Sequence, residues 1–135
     1  MSLRDKIELL DRSLLKDERG WFLKILNGKE KNLPNHTGEI YITCAKPGQW
    51  RANHYHLVTA EWFSIIKGKA KVILEDTETK ERVTISLNGD VPQTLYVPSN
   101  IAHIFINDDE NEEMLLIVYS ENLYDPADTI TYNLI

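Results

Sequence analysis

Three of the chain's four histidines fall in a pattern that could do chemistry. His54-Tyr55-His56 spaces two imidazoles two residues apart, so in an extended segment both point to the same face. Glu61 follows five residues later, at the start of the next β-rich run, and His103 lies much further on. Imidazoles and a carboxylate together can bind a divalent transition metal or exchange protons near neutral pH. A plain structural reading, two histidines on a polar strand face, accounts for His-x-His by itself equally well. The fourth histidine, His36, sits in a polar stretch and is expected to be exposed.

Such a site needs a folded frame, and the composition provides for one. At 135 residues, with 42% hydrophobic and 27% charged residues, the chain reads as one globular domain over residues 1–135. The net charge of −6 disfavours a nucleic-acid partner, which usually meets a basic face. A single cysteine, Cys44, can neither pair internally nor build a multi-thiolate zinc site, and reads as a small buried hydrophobe. No apolar run approaches the ~18 residues of a membrane span and no signal-peptide core is visible, so the expected setting is cytoplasmic, with no membrane partner.

The elements that must hold the site are short and β-rich. Trp21–Leu26, Glu39–Ala45, Glu61–Lys67, Ala70–Leu74, Val83–Leu87, Thr94–Val97, His103–Asn107 and Met114–Ser120 read as strands. Lys29–Gly38 reads as a loop, Lys67-Gly68-Lys69 as a tight turn, Asp76–Arg82 as a hairpin loop and Asp108–Glu113 as a solvated acidic connection. Only residues 2–15 offer a helix, and ambiguously. The expectation is an all-β sandwich or barrel with little helix.

The spacing goes further than the pair. Gly48, five residues, His54-Tyr55-His56, four residues, Glu61, six residues and Gly68 resemble the first motif of the cupin family at every fixed position. Pro98-Ser99-Asn100-Ile101-Ala102-His103-Ile104-Phe105-Ile106-Asn107 resembles the second. There Asn100 replaces the usual glycine, and asparagine is the residue best able to share glycine's left-handed conformation. Gly89 stands further ahead of Pro98 than the motif asks. The resemblance, over residues 48–107, implies a cupin-type double-stranded β-helix, that is, a jelly-roll barrel. It also implies one divalent metal bound by His54, His56, Glu61 and His103. Zinc, nickel, iron, manganese and cobalt all suit that donor set.

Other segments resemble narrower families. Asp17-Glu18-Arg19-Gly20-Trp21-Phe22, Arg51-Ala52-Asn53-His54-Tyr55 and Tyr119–Pro126 are similar to segments of nucleotide-sugar 3,5-epimerases acting on dTDP-4-keto-6-deoxyglucose. Arg51 to Thr131, with Asp125-Pro126 and Asp128-Thr129, resembles more strongly the C-terminal cupin domain of bifunctional capsular-polysaccharide enzymes. Those enzymes epimerise and reduce a UDP-4-keto-6-deoxy amino sugar. The implied activity is nucleotide-sugar epimerisation or isomerisation in bacterial surface-polysaccharide synthesis, by proton removal beside a ketone. A homodimer is implied as well.

Within that resemblance Arg51 is a diphosphate clamp, Tyr119 the candidate acid with Tyr124 second, and Trp62 and Phe105 candidate pocket residues, while Trp21 and Trp50 are structural. In metal-free epimerases the position of His54 is the base, which conflicts with its use as a ligand, and the ligand reading is the one adopted from the sequence. Two other classes stay open: a metal-dependent cupin dioxygenase, and a non-catalytic sugar-binding cupin.

Overall fold

Strict alternation of buried and exposed residues over Arg82–Asn88, and of buried and half-buried residues over Met114–Ser120, is the mark of strands with one face in a core. The computed structural model describes residues 1–135 and contains twelve strands. They are β1 (Glu8–Asp11), β2 (Leu14–Asp17), β3 (Gly20–Leu23), β4 (Glu39–Ala45), β5 (Trp50–His56) and β6 (Glu61–Lys67). The others are β7 (Lys69–Asp76), β8 (Arg82–Asn88), β9 (Gln93–Val97), β10 (Ile101–Ile106), β11 (Met114–Ser120) and β12 (Thr129–Thr131). Two five-stranded antiparallel sheets, ordered β1-β9-β6-β11-β4 and β12-β5-β10-β7-β8, enclose the main core, which includes Phe63, Val72, Leu74, Leu95, Phe105, Leu116 and Val118. The all-β, two-sheet expectation holds.

The N-terminus differs from its reading. One helical turn, Leu3–Lys6, is closed by a capping box between Ser2 and Asp5, and no longer helix forms. The chain then extends, because β9 offers an edge that β1 fills. Leu14–Asp17 pairs with Gly20–Leu23 in a separate hairpin, and the strand expected through Leu26 stops at Leu23. Strand β12 was not anticipated; at three residues it has no periodicity to read.

Two turns show why their residues are needed. Gly68 has φ +80°, and a Cβ there would lie 2.4 Å from the Glu113 carbonyl oxygen. Asn100 has φ +67°, so it does adopt the left-handed conformation expected of a glycine substitute. Cys44 is half-buried rather than buried.

Candidate metal centre

Strand pairing delivers the histidines to one another. In the β5–β10 ladder His54 lies opposite His103, and the register shifts between His103 and Ile104. At that bulge Ala52 and Asn53 both take left-handed conformations, φ +74° and +65°. Cross-strand partners share a face, so Arg51, opposite Phe105, joins His54 on the inner side although the two are three residues apart. Glu61 opens β6 in the other sheet, across from them. One potential ligand atom from each of His54, His56, Glu61 and His103 lies within 4.8 Å of the others.

Three of these four side chains are held from behind. Nδ1 of His103 donates to the Ile101 carbonyl at 3.0 Å, which leaves Nε2 as the lone-pair nitrogen. Nδ1 of His56 lies 3.3 Å from the Thr129 hydroxyl. Glu61 Oε2 accepts from the Tyr41 hydroxyl at 3.0 Å, and its Oε1 is 2.9 Å from Nε2 of His56 and 3.7 Å from Nε2 of His103. His54 has no comparable hydrogen bond and meets its neighbours only ring to ring, 4.8 Å from His56 and 5.0 Å from His103 between centroids.

The electrostatics follow from burial and crowding. Burial, with the nearby His103 and His56, lowers the His54 pKa to about 4, so its imidazole is neutral at physiological pH. Burial likewise lowers His103. His56 is also penalised by burial, but the hydrogen bond and charge of Glu61 outweigh this and raise its pKa. Glu61 mirrors it: burial works upward, and the hydrogen bond from His56 with the neighbouring histidine charges brings it down. Burial and the Glu61 carboxylate push the Tyr41 phenol far above its ordinary range, so it stays a protonated donor.

The cluster opens into a cavity of about 360 Å³, lined by Glu39, Tyr41, His54, His56, Glu61, Tyr124, Asp125 and Asp128 among others, with no lysine or arginine. A smaller space of about 110 Å³ adjoins it, shares Tyr41 and His54, and is lined by Arg51, Phe63 and Phe105. Arg51 therefore sits beside the cluster, its Nε donating to the Cys44 carbonyl at 2.7 Å. Phe105 is fully buried and packs on Phe63, ring centroids 4.6 Å apart, in the floor of that space.

Tyr124 is at the mouth and 70% exposed. Tyr119 is elsewhere. Val118 and Ser120 take the inner face of β11, so Tyr119 turns outward and stacks on Trp62, ring centroids 5.5 Å apart. Trp62 is on the outer face of β6 for the same reason, since its neighbours Glu61 and Phe63 point inward, and it lines neither space. His36 is exposed as expected, though its Nε2 lies 2.9 Å from the Glu121 carbonyl.

Tyr41, Asp128 and Thr129 escaped the sequence reading. Asp128 and Thr129 were marked only as part of a resemblance, and Tyr41 carried no signal.

The residues fit a divalent metal. Three imidazoles and one carboxylate are a borderline donor set for first-row ions. Nε2 of His103 is a buried nitrogen with no hydrogen-bond partner, in a residue only 2% exposed, and an orphan of this kind is costly unless it serves a ligand.

Comparison with known proteins agrees with this frame. The chain is 25% identical over 116 residues to UDP-2-acetamido-2,6-beta-L-arabino-hexul-4-ose reductase of Pseudomonas aeruginosa, covering 86% of this chain and 29% of that enzyme. It thus spans less than a third of that relative. Among solved structures it matches the dTDP-6-deoxy-D-glucose-3,5-epimerase RmlC of Legionella pneumophila, in complex with dTDP-4-keto-L-rhamnose, with a TM-score of 0.83 and 16% identity, over 96% of this chain and 74% of that one. It also matches the capsular polysaccharide assembling protein CapF of Staphylococcus aureus, with a TM-score of 0.69 and 22% identity, over 91% of this chain and 33% of that one. At these identities the likeness establishes the cupin-like fold. No helix is long and apolar enough to cross a membrane. The model of the polysaccharide biosynthesis C-terminal domain matches residues 15–132, and the chain belongs to that family.

Proposed function

We propose that the protein is a nucleotide-sugar epimerase or isomerase that moves a proton on a carbon beside the ketone of a 4-keto-6-deoxy sugar, in surface-polysaccharide synthesis. The family and the fold shared with a dTDP-sugar epimerase support the class. The observation that carries the assignment of roles is the uneven anchoring of the four cluster residues. Metal-binding histidines almost always have their second nitrogen held by an acceptor. His56, Glu61 and His103 have such support, and His54 does not. In this reading His56, Glu61 and His103 hold a divalent cation, and His54, assigned from the sequence as a fourth ligand, is a free neutral base. A bound cation supplies Lewis-acid stabilisation of the ketone oxygen as negative charge develops there.

The chain's own residues do the rest. Nε2 or Nδ1 of neutral His54 takes the proton from the acidified carbon. Water from the open cavity returns a proton to the carbon's other face; Tyr41, its hydroxyl held by Glu61 at the boundary of both spaces, positions the sugar, and Tyr119 faces away. Arg51 binds the diphosphate outside the acidic cavity, where no other cation lines the walls. Tyr124 at the rim stacks on or hydrogen-bonds the ligand. Phe105 acts through packing, and Trp62 leaves the substrate set. A homodimer and a cytoplasmic setting complete the proposal; the exposed Leu15, Trp21 and Phe22 of the β2–β3 hairpin support the former.

The test is solvent exchange. In deuterated water, a UDP- or dTDP-4-keto-6-deoxy sugar is expected to gain deuterium on a carbon next to the ketone, and His54→Ala abolishes this while retaining metal. Tight binding of such sugars without any exchange would leave a sugar-binding cupin, and oxygen uptake with iron or copper would point to a dioxygenase.

A further inference from the structure

The connection from His56 to Glu61 crosses from one sheet to the other at the mouth of the cluster. Its first two side chains give it little packing, with Leu57 45% and Val58 68% exposed, whereas Thr59 and Ala60 are buried. The Leu57 amide donates to the Asp128 carbonyl at 3.1 Å and the Glu121 amide to the Ala60 carbonyl at 3.0 Å, and the rest of the hold comes from one buried carboxylate, Asp128. Oδ1 of Asp128 accepts from the backbone amides of Leu57 at 2.9 Å and Val58 at 2.8 Å, and Oδ2 accepts from the Thr59 hydroxyl at 2.5 Å. The Thr59 oxygen in turn accepts from the Asn122 amide at 3.1 Å, which directs its own proton to Asp128. The same segment fixes the imidazole. Asp128 Oδ2 is 3.9 Å from Nδ1 of His56, and the adjacent Thr129 hydroxyl is 3.3 Å from that nitrogen.

We infer that Asp128 is the positioning residue of the cluster: by clamping the Leu57 and Val58 amides and the Thr59 hydroxyl and backing His56, it sets the approach of His56 to Glu61. The inference rests on the reading of the cluster as a metal centre. Asp128 touches no reacting atom; it acts through the geometry of two ligands. Loops earn functional precision only when their backbone polar groups are fixed, and two amides plus a hydroxyl on one buried carboxylate provide that fixing.

The test compares wild type with Asp128→Ala, Asp128→Asn and Thr59→Val. In the metal-free proteins, amide exchange at residues 57–60 is expected to rise about tenfold or more in Asp128→Ala, with other strands unchanged. Asp128→Asn keeps an oxygen for both amides and stays close to wild type. Cobalt(II) affinity, measured by chelator competition at a temperature where every variant is folded, is expected to fall about 10–100-fold in Asp128→Ala and less in Thr59→Val, with rescue by Asp128→Asn. Thr59→Val removes one bond of the three and serves if Asp128→Ala does not fold. Unchanged exchange at residues 57–60, or raised exchange with unchanged cobalt affinity, overturns the inference. Failure of wild type to bind cobalt defeats the metal reading alone. The exchange arm then still decides whether Asp128 holds the loop.

Discussion

Two of the polar clusters that the protein buries are finished differently. Asp76, 2% exposed at the end of β7, accepts from the Lys6 ammonium at 2.5 Å and from the backbone amides of Glu78 at 2.9 Å and Thr79 at 3.4 Å. Each of its oxygens has a donor, and the knot ties the N-terminal turn to the β7–β8 hairpin. The histidine cluster is left incomplete, with Nε2 of His103 unpartnered and His54 without a hydrogen bond to fix it. Satisfied buried groups stabilise a fold, whereas unsatisfied ones cost stability and persist where a ligand completes them. The first cluster is therefore complete as folded, and the second is left open to a ligand.

Substitutions can break this contrast. The largest effect is expected for His54→Ala, which removes the proposed base; turnover of a 4-keto sugar nucleotide should fall by at least ~10²–10⁴ in a steady-state assay. Unchanged turnover would remove His54 as the base. His103→Leu comes next: cobalt binding in titration is expected to be lost, while chemical denaturation of the metal-free protein shifts by no more than ~1 kcal/mol, because an orphan nitrogen leaves along with one hydrogen bond.

Asp76→Ala should do the reverse, costing about 2–3 kcal/mol in denaturation with cobalt affinity intact. The hydrogen bond from Lys6 holds the Asp76 carboxyl below its ordinary value of 3.8. Its contribution is therefore fully present above that value and is lost as pH falls through the lowered pKa. Asp76→Ala should accordingly flatten the acid limb of the stability curve. The smallest effect is expected for Tyr119→Phe, within ~0.5 kcal/mol in stability and with turnover unchanged, since its ring packs on the outer face.

Much of the frame was legible from runs of β-branched and aromatic residues bounded by turn residues. Glu39–Ala45, Glu61–Lys67 and Met114–Ser120 have the bounds expected from their β-branched and aromatic content. The four cluster residues were legible from motif spacing. What failed was face assignment. Both faces of β11 are apolar, Leu115, Ile117 and Tyr119 against Met114, Leu116 and Val118, so alternation could not say which way Tyr119 points.

For Trp62 the signal existed. An inward Glu61 places its neighbour outward. Strand β4 inverts the usual pattern: Ile40 and Ile42 are 68% and 61% exposed while Tyr41 turns its hydroxyl to Glu61, so amphipathicity concealed the tyrosine. Asp128 binds a loop far away in sequence, a relation that only the fold displays.

The claim that the histidine cluster is a metal centre with a free base beside it is tested most directly by elemental analysis of wild type, His54→Ala and His103→Leu, each purified without chelator and on a metal-free resin. The account predicts close to one first-row divalent metal ion per chain in wild type and in His54→Ala, and none in His103→Leu. Metal lost from His54→Ala as completely as from His103→Leu would make His54 a ligand. Wild type without metal, even after loading with zinc, cobalt, nickel, manganese or iron, would contradict the metal centre itself.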